Sequence, residues 1–344
     1  MVLTARRDTN VRLTNEQQIM SFYHVRHDRQ GNSILQQHFF TALLFFSYVH
    51  LQFTTATVRF SKCLYPVSEN CQLISDAGVA KAGKSAPDLF VLGLLSGAFL
   101  ALAGAASTMA AYNLLAYPET FGFGRLVAAA IFPCGLILVA IAGAELFTGN
   151  TLMLLPLVQR RIKVFSMLRN WVIVYTANLV GAMTMALLLV FSGQLDIPPN
   201  DLLGGMTITI AAVKCNFAFH EAFLLGIFCN WLVCLAVWMS ISAKDLAGKV
   251  LVIFFPICAF VTAGFEHSIA NMFFIPAGLF AAQFNPHFLE AAVASPEVLA
   301  SLTWQNFFLK NLLPVTLGNI IGGGVCVALT YGYVHRNSHD PTRT

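Results

Sequence analysis

From about residue 86 onward, long apolar runs dominate the chain, interrupted at wide intervals by short polar clusters. Residues 89–118 hold no formal charge, 126–159 hold only Glu145, and 170–195 hold none. A fourth run covers about 218–242. A fifth lies between Lys249 and Asn285 with Glu266 as its one formal charge, and a sixth follows Lys310 up to His335. A helix crossing a hydrocarbon core of about 30 Å needs about 20 predominantly apolar residues, so the pattern predicts six transmembrane helices. The second and fifth runs are too long for one plain span and carry their acid near the middle. That is the pattern of a helix broken inside the bilayer, where irregular backbone is tolerated only if protein or a water-filled cavity satisfies it.

The polar clusters repeat. GAELFTGN around Glu145 and GFEHSIAN around Glu266 both fit G-x-E-x4-N, giving Gly143, Glu145, Asn150 and Gly264, Glu266, Asn271. RNWVIVYTANLVG and KNLLPVTLGNIIG both fit N-x7-N-x2-G, through Asn170, Asn178, Gly181 and Asn311, Asn319, Gly322. Two coincidences in the same order at equivalent spans point to a duplication. Each unit carries three spans, so the second enters the membrane from the opposite side. The expected fold is an all-α integral membrane protein of two inverted three-helix repeats, about 87–195 and 217–335, with helices two and five broken. Broken helices at matching positions of inverted repeats point to a pathway at the midplane.

Composition agrees about the solvent. The chain is 57% hydrophobic and only 10% charged, against roughly 25% charged in an ordinary soluble domain, so lipid must cover much of the surface. The net charge of +4 follows from topology and suggests no nucleic-acid partner. Lys81 and Lys84 precede span one, Arg160, Arg161, Lys163 and Arg169 follow span two, Lys244 and Lys249 follow span four, and Arg336 and Arg343 follow span six; the intervening loops hold only Arg125, Lys214 and Lys310. The positive-inside rule then puts both termini in the cytoplasm, with the cell inner (plasma) membrane as the expected location. Six of the eight cysteines lie in or beside apolar spans and form no CxxC pair. Neither a metal site nor a cofactor is expected. Residues 1–70 are charge- and Gln-rich with one short apolar patch, FFTALLFFSYV at 39–49. They read as a disordered or peripheral extension to a domain covering 71–344.

The motifs AGVAKAGK (77–84), GAELFTGNT (143–151), FCNWLVCLAVWMS (228–240), GFEHSIANMFFIP (264–276) and NLLPVTLGNIIGGG (311–324) carry a further reading. From about residue 73 the chain resembles the formate/nitrite transporter family, its bacterial formate channels in particular. The resemblance implies an aquaporin-like six-helix protomer in a homopentamer, one pore per protomer, and a small monovalent anion such as formate or nitrite as substrate. It implies that His267 is the central pore histidine, that Thr148 is the gating-loop threonine whose hydroxyl pairs with substrate or histidine, and that Asn230 lies near the histidine. It aligns Phe132, Leu136, Leu146, Val233 and Phe260 with hydrophobic constrictions, and Lys214 and Lys81 with lysines at the outer and inner mouths. The family's paired histidines after the first of these lysines are replaced by Asn216 and Phe217, with His220 three residues later.

The chemistry of the polar residues agrees with these roles, while the five apolar residues would read as lipid-facing or core without the resemblance. An imidazole titrates near neutrality and can lend charge or a proton to a weak-acid anion at a dry centre, where a bare ion could not be desolvated. A carboxylate lining an anion pore would repel its cargo, so Glu145 and Glu266 are expected to be structural. Together with Asn150 and Asn271, they are expected to accept backbone N–H groups freed at the breaks. An ammonium at a vestibule raises the local anion concentration, while narrow apolar rings exclude hydrated ions. Bicarbonate, hydrosulfide or lactate transport are alternatives on the same fold. An intramembrane enzyme using Glu266 and His267 is the different-class alternative, but the chain has no HExxH, GxSG or paired-aspartate motif and duplicates the Glu without the His. A neutral-solute channel would need neither the lysines nor the histidine, and water-channel NPA motifs are absent.

Overall fold

The computed structural model describes residues 64–197 and 201–335; most of the 1–70 extension and the 39–49 patch lie outside the described residues. Among the described residues ten helices carry the fold: α1 (Val67–Gly83), α2 (Ala86–Leu115), α3 (Phe121–Ala142), α4 (Phe147–Val158), α5 (Val164–Phe191), α6 (Leu202–Cys215), α7 (Phe219–Ser242), α8 (Leu246–Ala263), α9 (Ser268–Phe284) and α10 (Trp304–Val334). Six of them, α2, α3, α5, α7, α8 and α10, are long and apolar enough to cross a membrane. The expected six spans are present, with α3–α4 as the broken second and α8–α9 as the broken fifth.

Local chemistry sets the boundaries. Ser85 accepts the Asp88 N–H at 3.2 Å and starts α2 beside a proline in its first turn, the usual way of satisfying an orphan N–H. Pro133 lacks an N–H, and α3 is interrupted at Phe132–Pro133. Gly143 and Gly264 end α3 and α8 in left-handed conformations, φ 85° and 78°, where a side chain would be strained.

The two halves are inverted repeats, and the repeating unit is longer than the apolar spans alone indicate. Helix α1 leads into α2 as α6 leads into α7, so each half begins with a short helix ending in a lysine, Lys81 and Lys214. Placing Lys214, Arg125 and Lys310 in interhelical loops is thereby corrected. They sit in the last turn of α6, the first turns of α3 and a π-helical turn of α10. Their aliphatic stems can lie along apolar neighbours while the charge reaches a polar region. Close helix pairs build both cores. A Cβ on Gly181 of α5 would stand 2.1 Å from the Leu94 carbonyl oxygen of α2, and one on Gly322 of α10 would stand 2.2 Å from the Ile227 carbonyl oxygen of α7. The final glycine of N-x7-N-x2-G is therefore a backbone-contact position in both halves.

Candidate functional site

Each helix break is clamped by an asparagine from the third span of its own half. Asn178 Oδ1 accepts the Phe147 N–H at 3.0 Å, and its Nδ2 donates to the carbonyls of Gly93 at 2.7 Å and Glu145 at 3.0 Å. Asn319 repeats this with the Ser268 N–H at 2.9 Å and the carbonyls of Gly226 at 2.8 Å and Glu266 at 3.0 Å. The break residues reach back to the first span of their own half, Glu145 N–H to Leu92 O and Glu266 N–H to Leu225 O, both at 3.2 Å.

The expectation that Glu145 and Glu266 accept freed backbone N–H groups is therefore corrected. Their carboxylates bind side chains. Glu145 Oε2 meets Lys81 Nζ at 2.6 Å and accepts Asn150 Nδ2 at 2.9 Å, while its Oε1 meets Lys84 Nζ at 2.8 Å. Glu266 Oε1 meets Lys214 Nζ at 2.7 Å, and its Oε2 accepts Asn271 Nδ2 at 2.7 Å and Asn311 Nδ2 at 3.3 Å. The physical reason is donor and acceptor type. A carboxylate only accepts and, when buried, needs a compensating cation; an amide can serve an N–H and a C=O at once. The amides of Asn150 and Asn271 extend each network, donating to Asn170 Oδ1 at 2.8 Å and Asn311 Oδ1 at 2.7 Å. Asn170 and Asn311 close it by donating to the carbonyls of Lys81 at 3.2 Å and Lys214 at 2.8 Å. Lys81 and Lys214 are thus tied into the breaks, each paired with a buried carboxylate.

Between the two breaks, His267 Nε2 lies 2.9 Å from Thr148 Oγ1, with His267 3% exposed and Thr148 fully buried. The ring's Nδ1 accepts the Ala270 N–H at 3.0 Å and so caps α9. A neutral imidazole carries one ring proton; with Nδ1 accepting, that proton is on Nε2 and is donated to Thr148. In that tautomer the ring is a hydrogen-bond donor aimed at the opposite half of the protein.

Around this pair, Phe260 stacks beside the imidazole at 6.1 Å between centroids, and Phe132 meets Phe260 edge-on at 5.9 Å. Leu136, Leu146 and Val233 are buried in the same apolar core. Asn230 is spent on structure: Nδ2 donates to the carbonyls of Asn319 at 2.6 Å and Thr148 at 3.2 Å, and to Thr151 Oγ1 at 3.2 Å. It fixes the backbone that presents Thr148. Gly323 makes room for this cluster, since a Cβ there would fall 2.1 Å from Thr151 Oγ1 and 2.5 Å from Asn230 Nδ2.

On the Lys214 side a cavity of about 450 Å³ leads down to His267, with Phe132 and Phe260 in its lining. Its charged side chains are Arg125, Lys214 and Glu266. Sequence reasoning left four contributors without a role: Lys84, the clamps Asn178 and Asn319, and Arg125. For the clamps the signal was present, since both stand in the duplicated N-x7-N-x2-G pattern. Likewise, Lys81 and Gly93 share the spacing of Lys214 and Gly226, which marks the two lysines as repeat counterparts.

Comparison with known proteins follows the same outline. A sequence model described as formate/nitrite transporter matches residues 68–333. The chain is 39% identical over 274 residues to the "Probable formate transporter" of Methanothermobacter thermautotrophicus, spanning 75% of this chain and 93% of that one. It is 40% identical over 270 residues to the "Formate channel FocA" of Escherichia coli K12, spanning 78% and 94%. Among solved structures, "Pentameric formate channel with formate bound" matches with TM-score 0.65 at 35% identity, covering 73% of this chain and 98% of that chain. "FNT family ion channel" matches with TM-score 0.66 at 30% identity, covering 77% and 98%.

Proposed function

Because the chain belongs to the formate/nitrite transporter family, we propose that it conducts small monovalent weak-acid anions, formate foremost and nitrite with it, through a pore in each protomer. The observation that carries this reading is the buried Thr148–His267 hydrogen bond between the two broken helices, at the foot of the cavity. An anion descending the cavity sheds water where Phe132 and Phe260 narrow the path. It then needs a donor, because an unpaired buried charge is costly. Neutral His267 supplies one by turning its Nε2–H from Thr148 to the anion, and Thr148 can then donate its own hydroxyl proton to the same oxygen. Arrival as the neutral acid, with the proton carried in from the vestibule water, lowers the cost further.

The backbone clamps and the lysine–glutamate–asparagine networks hold the two breaks in place for this exchange. The lysine pattern favours cytoplasmic termini in a plasma membrane, and the solved pentameric formate channel supports the same assembly here. The test is proteoliposome uptake of formate, nitrite, bicarbonate and hydrosulfide measured side by side. Formate uptake above that of empty liposomes is expected; uptake of none of the four would overturn the reading.

A further inference from the structure

Three charged side chains line the cavity above His267, and two of them cancel. Lys214 and Glu266 form an ion pair at 2.7 Å in which both side chains are largely buried. The third, Arg125, has no carboxylate within salt-bridge distance among the described residues. Its Nη2 donates to the carbonyls of Val261 at 2.9 Å and Thr262 at 3.0 Å, and its Nε to Thr262 O at 3.3 Å. Carbonyl oxygens anchor a guanidinium without neutralising it. The Nη1 group, with two N–H donors, has no acceptor among the described residues.

The duplicated networks show why the cation is needed at this place. In the first half Glu145 is met by two ammonium groups, Lys81 and Lys84. In the second half Lys214 repeats Lys81, but the position equivalent to Lys84 is Phe217, which also lines the cavity. This side therefore has one cation fewer from its own half, and Arg125 of α3 enters from the other. Gly264 makes the placement possible: a Cβ there would lie 2.4 Å from Arg125 Nη2.

We propose that Arg125 is the anion-docking residue of this vestibule, receiving a small monovalent carboxylate or similar oxyanion on its Nη1 edge before the anion reaches His267. A guanidinium suits this role because it cannot lose its charge, and its planar fork matches a carboxylate. The docking role deepens the transport reading and rests on it, so the test has a binding arm and a flux arm.

Binding of 13C-formate to the solubilised protein is measured by NMR for the parent, Arg125→Gln, Arg125→Lys and the double variant Arg125→Gln/Phe217→Lys. Thermal midpoints are recorded alongside. Arg125→Gln is expected to weaken binding on the order of tenfold at low ionic strength, as loss of a vestibule charge does. Arg125→Lys should retain most of the binding. The double variant should regain part of it, because Phe217→Lys restores the charge from the position equivalent to Lys84. In liposomes, Arg125→Gln should lower uptake at subsaturating formate and low salt, with a smaller effect at saturation. A folded Arg125→Gln protein that binds formate as the parent does, with only its melting temperature lowered, would make Arg125 a cap on α8 and overturn the proposal. Should Arg125→Gln fail to fold, an Arg125→Lys protein whose formate binding is insensitive to salt would overturn it equally. Absence of formate uptake by the parent itself would instead count against the transport reading, while the binding arm still decides the role of Arg125.

Discussion

The two nitrogens of His267 have separate duties, and substitutions can separate them. Nδ1 caps α9 through the Ala270 N–H, while Nε2 faces Thr148. Asparagine is a good helix cap, so His267→Asn should fold and keep a polar pathway while losing the titratable group. Its flux is expected to lose whatever part of the parent's pH dependence comes from a proton on the imidazole. A folded variant whose flux profile against pH matches the parent's would remove the histidine from proton handling. His267→Phe loses both duties. It should cost about 1 kcal/mol through the lost cap and reduce flux on the order of tenfold or more, read by thermal melts and liposome uptake. Thr148→Val leaves the Nε2–H without its partner in a buried site, a loss of about 1–3 kcal/mol that thermal unfolding would register.

At the scale of elements, the stability of each broken helix rests on three asparagines and one acid. Asn178→Leu or Asn319→Leu strands one backbone N–H and two carbonyls. Each should destabilise by roughly 2–4 kcal/mol, at about 1–3 kcal/mol per unsatisfied buried group with partial relaxation. The two losses should be similar, because the clamps are repeat counterparts; markedly unequal melting shifts would contradict that equivalence. Glu266→Gln leaves Lys214 without its counter-charge, and breaking a buried pair typically costs about 3–5 kcal/mol. The lower end is expected, because the Lys214 side chain is 17% exposed and reaches the cavity. Adding Lys214→Met should recover most of that stability, and a double variant no more stable than Glu266→Gln alone would show that the pair is not the cause.

For the whole molecule, the outward faces set the environment. Phe165, Val172, Phe191 and Phe255 are each more than 60% exposed on the lone protomer, surface that lipid or neighbouring copies must cover. A homopentamer is the expected assembly, and native mass spectrometry from detergent should give a species of about five times the 37.5 kDa chain. A folded protein that runs only as a monomer in mild detergent would exclude it. Inversion of the two halves also fixes the site between them, since His267 comes from one half and Thr148 from the other. A fragment holding a single half would present one member of the pair and no pore.

By itself the sequence determined what is costly in lipid: six apolar runs, an acid in the middle of two of them, and duplicated Gly, Glu and Asn positions that announced inverted repeats with broken helices. Those features follow from local composition and spacing, and a single chain displays them. Which partner each buried polar group takes was decided only in three dimensions. Lys81 reads as a mouth lysine until α1 brings it to Glu145, and Glu266 reads as a backbone acceptor until Lys214 reaches it. Arg125 reads as a loop charge until α3 lays it against the end of α8. The physical reason is that compensation of a buried charge depends on distance in space between segments far apart in the chain. Spacing along the chain does not carry that distance.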